Sequence, residues 1–341
     1  MRSAELAEVG RIALTTAPVP DPAAGEVLVR MRAVGICGSD VHFYVDGRIG
    51  DTIASMPFVL GHEPAGQVAA LGAGVTTHVV GQRVALEPSL PCGLCDICRM
   101  GRPNCCPTVR FLGSPPVAGV FEEYHIFTPQ QCVSIPDNVS FEAAATLEPM
   151  AVGLHGVTLG RVRAGDRVAV LGCGPVGILT AMAARAVGAT FIAMTDPIPA
   201  RRAHAAQLVA DLVLDPTDEA TVPTIKIAAG QIDVVLEASG AQAAIDDASE
   251  LICPGGTIVI IGIPSIDHIA LRAHPLRRKE ITLTLTHRSN FALEPCLRLM
   301  ERGMIDPGQV ITHRFPLEQL ADGMELVKNY RDGVLKAMIV I

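Results

Sequence analysis

The chain has 341 residues, 49% hydrophobic and 18% charged, which is enough apolar material for the cores of two ordinary domains. A formal net charge of -8 argues against a nucleic-acid surface. The opening MRSAELAEVGRIAL is not a charged-then-apolar leader, and no apolar run reaches membrane-span length, so a cytoplasmic protein with no membrane partner is expected.

Residues 1 to about 150 read as β-rich. Runs such as EVLVRMRAVGI, AGQVAAL and QRVALEP alternate apolar and polar residues, with Gly and Pro between them. Cys37-Gly-Ser39-Asp40 follows the first of these runs, and Gly61-His62-Glu63 follows later. A lone Cys or His is more often structural than a ligand. Together, Cys37, His62 and Glu63 offer a thiolate, an imidazole and a carboxylate, the donor set of a catalytic zinc with one position left open. A tighter cluster comes next. Cys92, Cys95 and Cys98 are separated by two residues each, and Cys106 follows after seven more. Such spacing lets four thiolates converge in the closed shell of a structural zinc. Cys105 is an alternative fourth sulfur. Thiols used as metal ligands fit a reducing compartment. Only Arg99, Arg102 and Arg110 add positive charge nearby, too little for a nucleic-acid-binding finger. Glu148 lies in the apolar stretch AAATLEPMAVGLHG, where an acid needs a partner or a role.

From about 151 to 285 short apolar runs alternate with helix-like stretches, the pattern of βαβ units around a parallel sheet. VAVL at 168–171 is followed by Gly172, Cys173, Gly174, Pro175, Val176 and Gly177 and then an apolar helix. This is G-x-G-x-x-G between strand and helix, where backbone N–H groups and the helix N-terminus can hold a pyrophosphate. Asp196, 19 positions past Gly177, is placed for the ribose hydroxyls and would repel a 2′-phosphate, which indicates NAD rather than NADP. Arg201 is available for the adenine or for Asp196. Residues 290–341 return to a mixed pattern that ends in VLKAMIVI, a buried strand expected to pack back on the first part. The expected organisation is one domain from 1–152 and 290–341, with a second, 153–289, inserted in it. Cys132, Cys173, Cys253 and Cys296 read as buried packing.

The chain resembles the zinc-dependent medium-chain dehydrogenase/reductase superfamily, and within it the sorbitol, xylitol and L-idonate (polyol) dehydrogenase branch. The resemblance is carried by CGSDVHFY at 37–44, GHEPAGQV at 61–68, the cysteines at 92–106, LEPMAVGLH at 147–155, LGCGPVG at 171–177 and THRFPLE at 312–318. It implies an α/β plus β fold: a GroES-like β-barrel catalytic domain with an inserted Rossmann domain, a doubly wound parallel sheet. It also implies two zinc ions, NAD, and hydride transfer from a secondary alcohol of a polyol or sugar acid. Cys37 and His62 would bind the catalytic zinc, with Glu63 as third ligand and Glu148 as its competitor. Cys92, Cys95, Cys98 and Cys106 would bind the structural one. Ser39 and His42 match the superfamily's proton relay. Ser39, Tyr44, Glu148 and Arg288 match substrate positions. Gly172, Gly174, Pro175, Val176, Gly177, Asp196 and Arg201 match the cofactor site.

The branch usually has an aromatic residue where this chain has Ser289, which implies a different pocket floor. The resemblance further implies a homotetramer. The segment GGTIVIIGIPS at 255–265 reads either as an edge strand for pairing between subunits or as a core strand. An alcohol or L-threonine dehydrogenase of the same superfamily and a non-catalytic zinc/NAD-binding relative are the alternative functions. The retained Cys37, Ser39, His62, Glu63 and Glu148 argue against the latter.

Overall fold

The computed structural model describes residues 1–264 and 268–341, which form two compact units, Met1–Glu148 with Ile311–Ile341 and Pro149–Val310.

The first unit is built on a seven-stranded sheet. Its strand order is Cys132–Ser134, Arg83–Leu86, Glu63–Leu71, Val27–Gly35, Lys336–Val340 and Ile311–Pro316, with Tyr124–Phe127 also paired to Val27–Gly35. Val27–Gly35 is central, and most of its residues are buried, as a strand covered on both faces requires. Leu6, Met31, Leu60, Phe121 and Phe127 are fully buried around it. Each such side chain is worth about 1.5–3 kcal/mol of burial. VLKAMIVI does return to this sheet: Met338 lies opposite Gly35 and Val340 opposite Ala33.

The register of these strands builds the chemistry. Gly35 pairs with Glu63 across the antiparallel ladder. The chain leaves the sheet at Gly35 and reaches Cys37 two residues later, while His62 immediately precedes the neighbouring strand. Cys37 is the N-cap of the helix Gly38–Asp46, which begins there because the Asp40 side chain accepts the Cys37 N–H at 2.9 Å. A short helix and two strand ends thus bring separated sequence segments to one point.

The second unit carries a six-stranded, wholly parallel sheet. Its order is Leu212–Leu214, Phe191–Thr195, Arg167–Leu171, Ile232–Glu237, Ile252–Ile260 and Thr282–Leu285, with helices between the strands. This is the doubly wound order of a Rossmann domain. Ile252–Ile260 lies between two partners, so the part of 255–265 that falls in this strand is core rather than edge; Ser265 lies outside the described residues. The edge strands are Leu212–Leu214 and Thr282–Leu285.

The division between the units falls at 148/149 and 310/311, against the expected 152/153 and 289/290. The larger difference has a packing cause. The helix Leu293–Glu301 buries Leu293, Cys296 and Leu297, and the turn Pro307–Val310 packs on the helix Pro175–Ala186, so both stay with the parallel-sheet unit. Cys132, Cys173 and Cys296 are buried as expected, whereas Cys253 is only partly buried. No helix among the described residues is long and apolar enough to cross a membrane.

Candidate active site

Cys37, His62 and Glu63 present one donor atom each, all within 4.8 Å of one another. A single ion about 2.0–2.3 Å from each donor lies within their reach. The imidazole of His62 is oriented from both sides: Nδ1 faces Asp40 Oδ1 at 3.4 Å, and Nε2 faces Ser39 Oγ at 3.4 Å. Asp40 is itself buried, and Oδ1 also accepts the Gly61 N–H at 3.0 Å. Burial alone would lower the His62 pKa, but Asp40 and then Cys37 outweigh it and hold the ring well above its ordinary value. A carboxylate behind a ligand histidine fixes the ring so that the opposite nitrogen faces the ion.

Glu63 is 0% exposed and ion-paired to Lys336, which is 2% exposed on the C-terminal strand. Lys336 Nζ also donates to the Ile36 carbonyl at 2.9 Å. Gly35 makes room for this pair: a Cβ there would lie 1.9 Å from Glu63 Oε2 and 3.0 Å from Lys336 Cε. Burial works against the charge on Lys336, and Glu63 with Cys37 restores it and raises the pKa. Glu148, on the first turn of the helix Leu147–Leu159, is buried but outside the three-donor group. Burial pushes its carboxyl up to about 8, with His62 opposing and Glu63 and Glu87 adding to the rise.

The remaining predicted residues fall elsewhere. Ser39 stands beside His62. His42 is 49% exposed and faces Asp46, one turn along its own helix, at 3.9 Å. Tyr44 is buried in the core of the first unit, with Lys328 Nζ over its ring at 5.9 Å from the centroid. Arg288 lies in the second unit, just beyond the edge strand Thr282–Leu285, with φ 55°.

The cysteine cluster satisfies the geometric test for a four-sulfur zinc. A tetrahedron with Zn–S of about 2.3 Å has edges of about 3.8 Å. The Sγ separations are 3.9 Å for Cys92–Cys98, 3.9 Å for Cys95–Cys106 and 3.5 Å for Cys106–Cys92. All four are free thiols, and Cys105 is exposed and outside the group. Backbone N–H groups point at the sulfurs, Cys95 N at Cys92 and Cys98 N at Cys95. The N–H groups of Leu94 and Cys95 draw Cys92 down to about 6, whereas burial and Cys95 push Cys98 up to about 12. Four adjacent thiols cannot all ionise without a cation among them.

The glycine-rich turn also fits its expected ligand. Gly172 has φ 112°, and a Cβ on Gly177 would lie 1.9 Å from the Gly172 carbonyl oxygen, so the helix Pro175–Ala186 rests directly on the turn. The Cβ position of Gly174 is open, with only Arg201 Nη1 at 3.9 Å, which leaves the approach a pyrophosphate needs. Asp196 is buried after the strand Phe191–Thr195. Its Oδ2 accepts the Cys173 N–H at 2.9 Å, its Oδ1 accepts the Ile198 N–H at 2.8 Å, and Arg201 lies 3.9 Å away.

Residues 23–137 match the alcohol dehydrogenase GroES-like domain, and residues 175–302 match the zinc-binding dehydrogenase family. Sorbitol dehydrogenase of Bacillus subtilis is 37% identical over 99% of this chain and 97% of its own length. This chain belongs to the zinc-binding dehydrogenases. Among solved structures, L-idonate 5-dehydrogenase of Escherichia coli K-12 superposes on the dehydrogenase with TM-score 0.92 and 29% identity, covering 100% of this chain and 98% of that one. A zinc-binding dehydrogenase of Sinorhizobium meliloti bound to NADP gives TM-score 0.91 and 29% identity, covering 100% and 99%.

Two residues of the dehydrogenase's site were missed in the sequence. Asp40 lies within CGSDVHFY, where spacing alone gives it no role. Lys336 was read only as one residue of a buried strand. A lysine inside an apolar run is itself a signal, because a buried cation requires a partner.

Proposed function

We propose that this dehydrogenase oxidises a secondary alcohol of a polyol or sugar acid to the ketone, with NAD as hydride acceptor. The observation that carries this reading is the convergence of Cys37, His62 and Glu63. The likeness to sorbitol and L-idonate dehydrogenases supplies the substrate class.

Zinc supplies Lewis acidity to the substrate hydroxyl, and NAD accepts the hydride. Cys37, His62 and Glu63 would hold the metal and leave a position for substrate. Asp40 fixes the His62 ring through Nδ1, so that Nε2 faces Ser39 and would be the nitrogen free for a metal. Ser39 Oγ would relay the hydroxyl proton, accepting it as its own proton leaves toward solvent, and His42, half exposed on the same helix, is placed at the solvent end of that relay. Glu148, buried and close enough to feel the charges of His62 and Glu63, would hydrogen-bond the bound substrate or stand in as a ligand. Arg288 matches the substrate-site arginine of the polyol branch and would suit a hydroxyl or carboxylate of the substrate. Cys92, Cys95, Cys98 and Cys106 hold the second, structural zinc.

Asp196 supports NAD over NADP, since a buried carboxylate at the end of the second strand repels a 2′-phosphate. The open edge of Thr282–Leu285, where Leu285 is 61% exposed, suits pairing with a second copy within a homotetramer. Light scattering tests that assembly, and cell fractionation tests the proposed cytoplasmic location.

The reading is tested by NADH formation with a panel of polyols, sugar acids, L-threonine and simple alcohols, with and without chelator. Chelator-sensitive turnover on a polyol or sugar acid supports it. Turnover confined to threonine or simple alcohols, or none with zinc and NADH both bound, contradicts it.

A further inference from the structure

The parallel sheet reverses its order between Arg167–Leu171 and Ile232–Glu237, and a dinucleotide lies across the C-terminal strand ends at such a switch point. The half of the sheet that begins with Arg167–Leu171 supplies the glycine-rich turn and Asp196, and so takes the adenosine side. The half that begins with Ile232–Glu237 is left for the nicotinamide nucleotide.

Glu237 ends that strand and is 0% exposed. Its Oε1 accepts three hydrogen bonds, from Ser239 N at 2.6 Å, Ser239 Oγ at 2.5 Å and Gly240 N at 2.8 Å. These bonds fold residues 238–240 back over the strand end. The turn they make is confined on both sides. A Cβ on Gly172, in the glycine-rich turn, would lie 3.0 Å from Ser239 N. A Cβ on Gly262 would lie 2.1 Å from Gly240 N and 2.9 Å from Glu237 Oε2. The Glu237 carbonyl oxygen also accepts the N–H groups of Ile261 and Gly262, at 2.7 and 3.0 Å. Glu237 therefore holds the loop after its own strand by its side chain, and the loop after Ile252–Ile260 by its backbone carbonyl. An acid in that position costs desolvation that an apolar side chain would not. Its three donors all belong to the loop that borders the crevice.

We propose that Glu237 is a positioning residue that holds residues 238–240 in place for the nicotinamide half of the dinucleotide. The adenosine half is left to the glycine-rich turn and Asp196. This rests on the NAD reading above and adds to it a residue that does not itself reach the reacting atoms.

The test compares NADH, titrated by its nicotinamide fluorescence, with ADP-ribose, which lacks the nicotinamide, titrated by calorimetry. The proteins are the zinc-loaded wild type, Glu237→Ala and Glu237→Gln. Glu237→Ala is expected to weaken NADH binding about tenfold or more and ADP-ribose binding less than about twofold, the loss expected for hydrogen bonds to one carboxyl group. Glu237→Gln keeps an acceptor oxygen for Ser239 and Gly240, so it should recover most of the NADH affinity. Parallel losses for both ligands, or unchanged NADH binding, overturn the proposal. If Glu237→Ala does not fold, Glu237→Gln decides: a loss of about threefold confined to NADH supports the proposal, and equal effects on both ligands overturn it. A wild-type protein that holds zinc and binds neither ligand overturns the NAD reading instead.

Discussion

Glu63 serves two cations. It is one of three converging side chains able to hold a metal, and it is also the partner of Lys336 inside the same buried space. In the zinc-free chain Lys336 is the nearer compensation for that carboxylate. Replacing it by Met leaves a buried charge unpaired, which costs about 3–5 kcal/mol. Urea unfolding of chelator-treated protein should show this loss for Lys336→Met, and zinc should restore part of it. Equal stability of wild type and variant without zinc would mean the ion pair contributes nothing. Glu237 offers a pH test at the same scale. Burial raises its carboxyl above the ordinary value of 4.5, with Ser239 and the N–H groups of Gly240 and Gly262 opposing. A raised folded value gives stability that is full below the unfolded value and declines as pH rises through the folded one. The stability advantage of wild type over Glu237→Gln should therefore shrink as pH rises above the ordinary carboxyl value, measured by urea midpoints. An advantage that grows over that range would contradict the assignment.

At the scale of elements, two local devices do most of the placing. The helix Pro175–Ala186 sits on the glycine-rich turn without room for a methyl group at Gly177. Gly177→Ala should force helix and turn apart at a cost of about 1–3 kcal/mol, seen as a lower melting temperature together with weaker NADH binding. A variant that melts lower but binds NADH normally would show that the turn relaxes without moving the phosphate cradle. The cysteine knuckle is the second device. Cys95 holds the loop both by its sulfur and by accepting the Cys98 N–H. Cys95→Ser should lose one zinc per chain and lower thermal stability, while the fraction that remains folded keeps its chemistry. Both devices were legible in the sequence because each depends on spacing within a few residues. The role of Ile252–Ile260 was not, since an apolar run reads the same at the edge or in the middle of a sheet.

For the whole molecule, the sequence conveyed the discontinuous organisation but not where the second boundary falls. The helix Leu293–Glu301 carries the same amphipathic pattern whichever core it joins, and only its packing assigns it to the parallel-sheet unit. The donor set of the active site was readable because Cys37, His62 and Glu63 are chemically distinctive. Lys336, 273 residues beyond Glu63, was not, because the ion pair is created by strand order across the whole sheet. The most direct test of the account is to measure zinc content and NAD-dependent polyol oxidation on the same samples of wild type and Cys37→Ser. The account predicts two zinc ions per chain and chelator-sensitive turnover for the wild type, and one zinc ion with no turnover for a folded Cys37→Ser. Undiminished turnover in a Cys37→Ser protein that has lost one zinc would contradict it.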